Sequence, residues 1–151
     1  MIDGHWFSVR RNDPRAYGLW ARHYSAGKSR RWRETGSTEF IGPGEVMVLL
    51  SDCSRALFAW QRNTIPRLDA QTGVCCTVFR NESPVLSSEL IREADALAWQ
   101  RWPGERHFTY VDPAKVRRKR DPGRCFLRAG WRVCGTNADG RLRLLEVLEA
   151  W

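Results

Sequence analysis

The apolar positions along the chain change period several times, and those changes mark its elements. Trp6 to Arg10 (WFSVR) reads as a first strand, closed by the turn signal Asn12-Asp13-Pro14. From Pro14 to Tyr24, the residues Tyr17, Leu19, Trp20 and Tyr24 recur at roughly helical spacing and predict a first helix. Ser25 to Thr38 is polar, basic and rich in Gly and Ser, with no clear period. Glu45 to Ser51 (EVMVLLS) and Ala56 to Arg62 (ALFAWQR) are strand-like runs around the turn Asp52-Cys53-Ser54-Arg55, which predicts a hairpin. Asn63 to Thr72 is a loop containing Pro66.

The rest of the chain is organised around Gly73 to Trp102. Val74 to Phe79 is a run of β-branched, aromatic and Cys residues, as in a strand buried on both faces. Leu86, Leu90, Ile91, Ala94, Leu97 and Ala98 then recur at the three- and four-residue steps of an amphipathic helix. The polar hinge Arg80-Asn81-Glu82-Ser83-Pro84 lies between them, with Ser83 suited to the N-cap and Pro84 to the first helical position. A buried strand that feeds straight into a helix points that helix's free N–H groups into a crevice at the strand's carboxyl end. Such a crevice suits an anion such as a pyrophosphate.

Pro103-Gly104 stops the helix, and His107 to Val111 (HFTYV) is the next strand, ended by Asp112-Pro113. Ala114 to Arg120 reads as a short helix or a basic loop. Arg124 to Ala129 makes a helical turn, with Gly130 at its C-terminal end. Trp131 to Gly135 and Arg141 to Leu148 are strands around the hairpin turn Asn137-Ala138-Asp139-Gly140. The order β-α-β-β-β-α-β-α-β-β predicts a mixed α/β sheet in one domain spanning residues 1–151.

Composition narrows the function classes. Hydrophobic residues make up 42% and charged residues 28%, as in a globular rather than a disordered chain. No apolar run is long enough for a membrane span and no signal-peptide core is present, so no membrane partner is expected and the cytoplasm is the expected location. The five Cys show no CxxC, and their spacing suits buried small hydrophobes better than a zinc site or a disulfide framework. The net charge is +8, and only three of the 25 basic residues are Lys. Lys28, Arg30, Arg31 and Arg33 form one dense basic run around Trp32, and Lys115, Arg117, Arg118, Lys119 and Arg120 form a second. Each run reads either as a phosphate-tracking patch on nucleic acid or as a solvated charged face.

The order of elements resembles the GCN5-related N-acetyltransferase (GNAT) fold over essentially the whole chain. The resemblance implies a mixed central sheet with a splayed central strand and flanking helices. It would set acetyl-CoA at the junction of Val74 to Phe79 with the helix after Pro84. Ordinary members carry R/Q-x-x-G-x-G/A there, whereas Phe79 to Ser88 contains no glycine. The phrases FRNE…SSELIREA, FTYVDP and DPGRCFLRAGW, with His23-Tyr24-Ser25, are similar to DNA modification proteins of the phage Mu Mom type. That resemblance implies a phage or prophage transferase, in a bacterial host cell, that modifies adenine in double-stranded DNA and protects it from restriction. It further implies acetyl-CoA or another acyl-type donor, and an iron ion.

Residue roles follow from this placement. His23 and Tyr24 border the acceptor site as base, proton donor or metal ligands; without the resemblance they read as a surface His and a core Tyr. Asp112, with Tyr110 two residues before it, would complete a general acid/base set, or an iron site with His23 and Tyr24. Asp112 fits an ordinary Asp-Pro turn equally well. Glu82 could activate an amine acceptor or simply favour a helix N-terminus. Phe79, Arg80, Asn81, Ser87 and Ser88 would hold the donor where glycines are missing, although both serines also suit capping. A base in duplex DNA must leave the stack to reach a pocket, and Trp20, Trp32 and Trp60 are candidate stacking or wedge residues. Two further readings are an acyl-CoA-dependent N-acetyltransferase acting on a small-molecule or protein amine, and a non-catalytic nucleic-acid-binding module. A homodimer is compatible with each.

Overall fold

The computed structural model describes residues 4–22, 41–42, 44–115 and 123–150, with the backbone alone at 115. Seven strands form one sheet: β1 Trp6–Val9, β2 Glu45–Ser51, β3 Ala56–Arg62, β4 Val74–Asn81, β5 His107–Val111, β6 Arg132–Thr136 and β7 Arg143–Val147. Their order is β1-β2-β3-β4-β5-β7-β6, and β4/β5 is the parallel pair among antiparallel neighbours. Three helices are described: α1 Pro14–Ala21, α2 Ser87–Arg101 and α3 Arg124–Arg128. None is long and apolar enough to cross a membrane.

The central strands are apolar without alternation because both of their faces are covered. Val48, Leu50, Leu57, Ala59 and Val78 pack with Ala16, Leu19 and Trp20 of α1. On the other face Leu49, Phe58, Trp60, Val74 and Cys76 pack with Ile91, Ala94 and Ala98 of α2, and with Phe126 of α3. Both Trp20 and Trp60 are therefore core residues, and neither is available to stack on a base. Trp32 lies outside the described residues.

Three local expectations change. Helix α1 starts as predicted, with Pro14 in its first turn and Asp13 as cap; Asp13 Oδ1 accepts from the N–H groups of Arg15 at 2.9 Å and Ala16 at 3.3 Å. It ends at Ala21, with Arg22 as the C-cap, before reaching Tyr24. Helix α2 begins at Ser87 with Leu86 as its N-cap, so Ser83 is not the cap and Pro84 is not the first helical residue. The cause is Asn81. Its Oδ1 accepts from the Ser83 N–H at 2.9 Å and the Ser83 hydroxyl at 2.6 Å, and its amide donates to the Val85 carbonyl at 2.8 Å. This Asx-type turn holds residues 83–85 out of the helix. Beyond β5, Pro113–Lys115 is a 3₁₀ turn.

The feature that shapes a site is the junction of β4 and β5. Their ladder consists of Val74↔His107 and Cys75↔Phe108, after which β4 continues to Asn81 and β5 to Val111. Against β3, Cys76 faces Trp60 but Val78 faces Ala59, so Thr77 is one extra residue, a β-bulge. The bulge lies just past the point where the parallel ladder ends. A hydrogen bond from the Thr109 hydroxyl to the Cys76 carbonyl, at 2.9 Å, links the two strands just past the ladder.

Candidate functional site

The candidate site extends from the point where the β4/β5 ladder ends to the hinge before α2. Phe79 stands on its helix-covered side, with ring centroids 5.5 Å from Phe58 and 6.0 Å from Phe126. Asn81 donates to the Ser87 hydroxyl at 2.9 Å, which joins two residues expected to hold a donor. Ser88 is buried, and Glu89 occupies the first turn of α2, where the helix dipole favours a carboxylate.

Glu82 sits between two guanidinium groups. Arg22 meets it with two parallel hydrogen bonds, Nε to Oε2 at 2.8 Å and Nη2 to Oε1 at 3.1 Å. Arg80 Nε donates to Oε2 at 3.0 Å, and Arg80 Nη1 donates to the Arg22 carbonyl at 3.0 Å. The Arg22 hydrogen bonds, then those from Arg80, hold the Glu82 carboxyl below its usual range. A base committed in this way is poorly matched to proton abstraction near neutral pH. Its evident work is to tie the end of α1 to the hinge.

A second group lies on the α1 face of the sheet, along β5. The Tyr110 hydroxyl donates to Asp69 Oδ2 at 3.0 Å, and Arg67 makes a bidentate pair with Asp69, both bonds at 2.9 Å. Arg67 also lies over the Phe108 ring, 5.1 Å from its centroid. Burial, then the bond to Asp69, pushes the Tyr110 phenol up to about 12. The Arg67 hydrogen bond is the main cause that brings Asp69 down to about 2. Tyr110 is therefore a protonated donor across the physiological range. Asp112, one residue past β5, is buried, and its Oδ1 accepts from the Ala114 N–H at 3.0 Å. That is the Asp-Pro turn geometry.

The expected site residues thus form two groups. Arg80, Asn81, Glu82 and Ser87 are brought together at the hinge, whereas Tyr110 of β5 pairs with Asp69 of the loop between β3 and β4. His23, Tyr24, Lys28, Arg30, Arg31, Arg33, Arg117, Arg118, Lys119 and Arg120 lie outside the described residues, as does the side chain of Lys115. The chain leaves the described region at Arg22, the residue clamped to Glu82. Among the described residues no group of three His, Cys, Asp or Glu side chains is placed to hold a metal ion. Of the trio expected to bind iron only Asp112 is described, and one of its oxygens serves the turn, so the described residues do not by themselves fit an iron site.

One polar cluster has no counterpart in the sequence reading. His107, fully buried, donates from Nδ1 to Asp95 Oδ1 at 2.7 Å, and Trp131 Nε1 donates to Asp95 Oδ2 at 2.9 Å. The imidazole is stacked on Trp99, 4.3 Å between centroids, and tilted against Trp60 at 4.4 Å. Among the described residues His107 Nε2 has no hydrogen-bond partner. Burial raises the Asp95 carboxyl. A cleft of about 290 Å³, lined by Arg92, Asp95, Trp99, Ala129, Val147 and Leu148, adjoins the pair. His107 opens β5 while Asp112 follows its end, so this cluster is at the opposite end of the strand from Asp112.

Comparison of the chain with protein-family models, with curated proteins and with solved structures returns no match.

Proposed function

We propose that the chain is a Mom-like transferase on a GNAT-like fold that modifies adenine in double-stranded DNA and so protects it from restriction. The observation that carries the reading is the parting of β4 and β5 after two paired residues, beside the Thr77 bulge and ahead of the hinge into α2. The strand order β1-β2-β3-β4-β5-β7-β6 with its parallel β4/β5 pair supports the same fold. The motif phrases of the sequence and the net charge of +8 support a DNA acceptor.

In this reading an acyl-type donor, acetyl-CoA or another, lies along the crevice past Phe79 toward the first turn of α2. No glycine lets the backbone close on phosphate there, and Asn81 and Ser87 already bond each other. Donor contact then rests on the N–H groups opening α2 and on Arg80 beside them. The flipped base enters from the Tyr110 side. Its exocyclic amine attacks the acyl carbon, the amine proton passes to a carboxylate or imidazole, and the donor's leaving group departs with the electron pair of the broken bond. Asp112 and His23 are the proposed proton acceptors, Tyr110 and Tyr24 the proposed donors, and the two basic runs the proposed phosphate track. Iron at His23, Tyr24 and Asp112 stays a proposal that depends on residues beyond those described.

A non-catalytic nucleic-acid-binding module is the second reading. It is favoured by the structural bonds that Asp112, Asn81 and Glu82 each already make. Restriction digestion separates the two. Plasmid DNA from cells expressing the transferase should resist several endonucleases with adenine in their sites. Plasmid from cells expressing a mere binding module, once deproteinised, should be cut normally.

A further inference from the structure

The proposed reaction needs a base to leave the duplex, and two of the tryptophans expected to assist are buried in the core. Among the described residues the two most exposed large apolar side chains lie elsewhere. Ile65 is 72% exposed and Leu68 fully exposed, on the loop between β3 and β4. That loop is held rather than loose. Arg67 grips Asp69 and covers Phe108, Asp69 accepts from Tyr110 and from the Gln71 N–H, and Arg106 donates to the Thr72 carbonyl at 3.1 Å. Ala70 is kept at φ +61°, a left-handed conformation that a non-glycine residue adopts only under constraint. A pinned loop that points Arg67 inward and leaves Ile65, Pro66 and Leu68 at the surface presents an apolar knob. Leu68 directly precedes the residue bonded to Tyr110.

We propose that Ile65 and Leu68 form a wedge that enters a base step of duplex DNA beside Tyr110 and unstacks it, so that the target base can reach the crevice. The inference rests on the DNA-modifying reading above. Three observations favour DNA as the occupant over a second copy of the chain: the +8 charge against a polyanion, the neighbouring candidate site, and the small size of the knob. Ile, Leu and Pro are the side chains that proteins insert between base steps, and the extra contact to bent DNA offsets the unstacking. Arg67, already neutralised by Asp69, fixes the loop and leaves phosphate contact to other basic residues.

The test uses the full chain and a duplex with 2-aminopurine at one adenine position, read by fluorescence, with binding followed by anisotropy. The wild-type protein should bind and raise the 2-aminopurine signal several-fold. The double variant Ile65→Ser/Leu68→Ser, altered only at exposed positions, should melt at the same temperature, bind roughly tenfold more weakly and lose the rise. Binding by the wild type with no rise, or an equal rise from the double variant, overturns the wedge and leaves the DNA-modifying reading standing. A wild-type protein that does not bind duplex DNA overturns both. A wild-type dimer that the double variant converts to a monomer assigns the knob to a second copy and overturns the wedge.

Discussion

Arg22 and Glu82, sixty positions apart in the chain, are joined by a pair of parallel hydrogen bonds that fastens the end of α1 to the hinge between β4 and α2. His23 and Tyr24 follow Arg22 directly in the sequence.

The clamp makes stability depend on acid. The folded pKa of Glu82 is depressed, so its stabilisation is present above the ordinary carboxyl value of 4.5 and fades as pH falls through the folded value. Glu82→Gln should therefore lower the melting temperature slightly at neutral pH, with the difference from wild type closing in acid. Solvent screening keeps the effect small. Thermal denaturation of both proteins across the pH range checks this; a difference that widens in acid contradicts it.

The buried pair Asp95–His107 should be far more costly to break. Removing either partner strands a polar group among Trp60, Trp99 and Trp131, so Asp95→Ala and His107→Ala should each destabilise by about 3–5 kcal/mol. Because the two losses share one interaction, the double variant should lose clearly less than their sum. Chemical denaturation of all four proteins measures the coupling.

Tyr110 should be slow to ionise. Burial is the larger cause of its raised pKa and Asp69 the second, so the tyrosinate absorbance of the wild type should include a component near pH 12 that Tyr110→Phe removes. Asp69→Asn should bring that component down only in part. The same substitution should release the β3–β4 loop, which trypsin cleavage at Arg67 would report.

Gly73 should not accept a side chain. Its φ is +111°, and a Cβ there would collide with the Arg106 carbonyl, the group that accepts the Val74 N–H at 2.8 Å where the parallel ladder starts. Gly73→Ala should therefore cost roughly 2 kcal/mol or more, through strain and displaced backbone. Equilibrium unfolding tests this, and a neutral variant would contradict the close approach.

The sequence made the strands and the long helix legible because their apolar residues follow the periods that burial demands. EVMVLLS, ALFAWQR and VCCTVF are continuous apolar runs because α1 and α2 cover both faces. Ser83 and Pro84 match a helix start locally, yet α2 starts at Ser87, because the turn is set by Asn81, two residues before Ser83. Thr77 carries no mark of a bulge, since any residue can be the extra one. Asp95–His107 and Arg22–Glu82 were hidden because each joins positions that only the finished fold brings together. Trp20 and Trp60 are buried, and the most exposed large apolar side chains among the described residues are the less conspicuous Ile65 and Leu68.

The central claim is that this chain alters bases in DNA, and the most direct measurement is mass spectrometry of nucleosides from plasmid DNA grown with the protein expressed. The control is Asp112→Ala, confirmed folded by its circular dichroism spectrum. The account predicts a modified adenine nucleoside that is absent from the control, with a mass increment that names the transferred group. An unaltered nucleoside profile, with folded wild-type protein present in the cells, would contradict it.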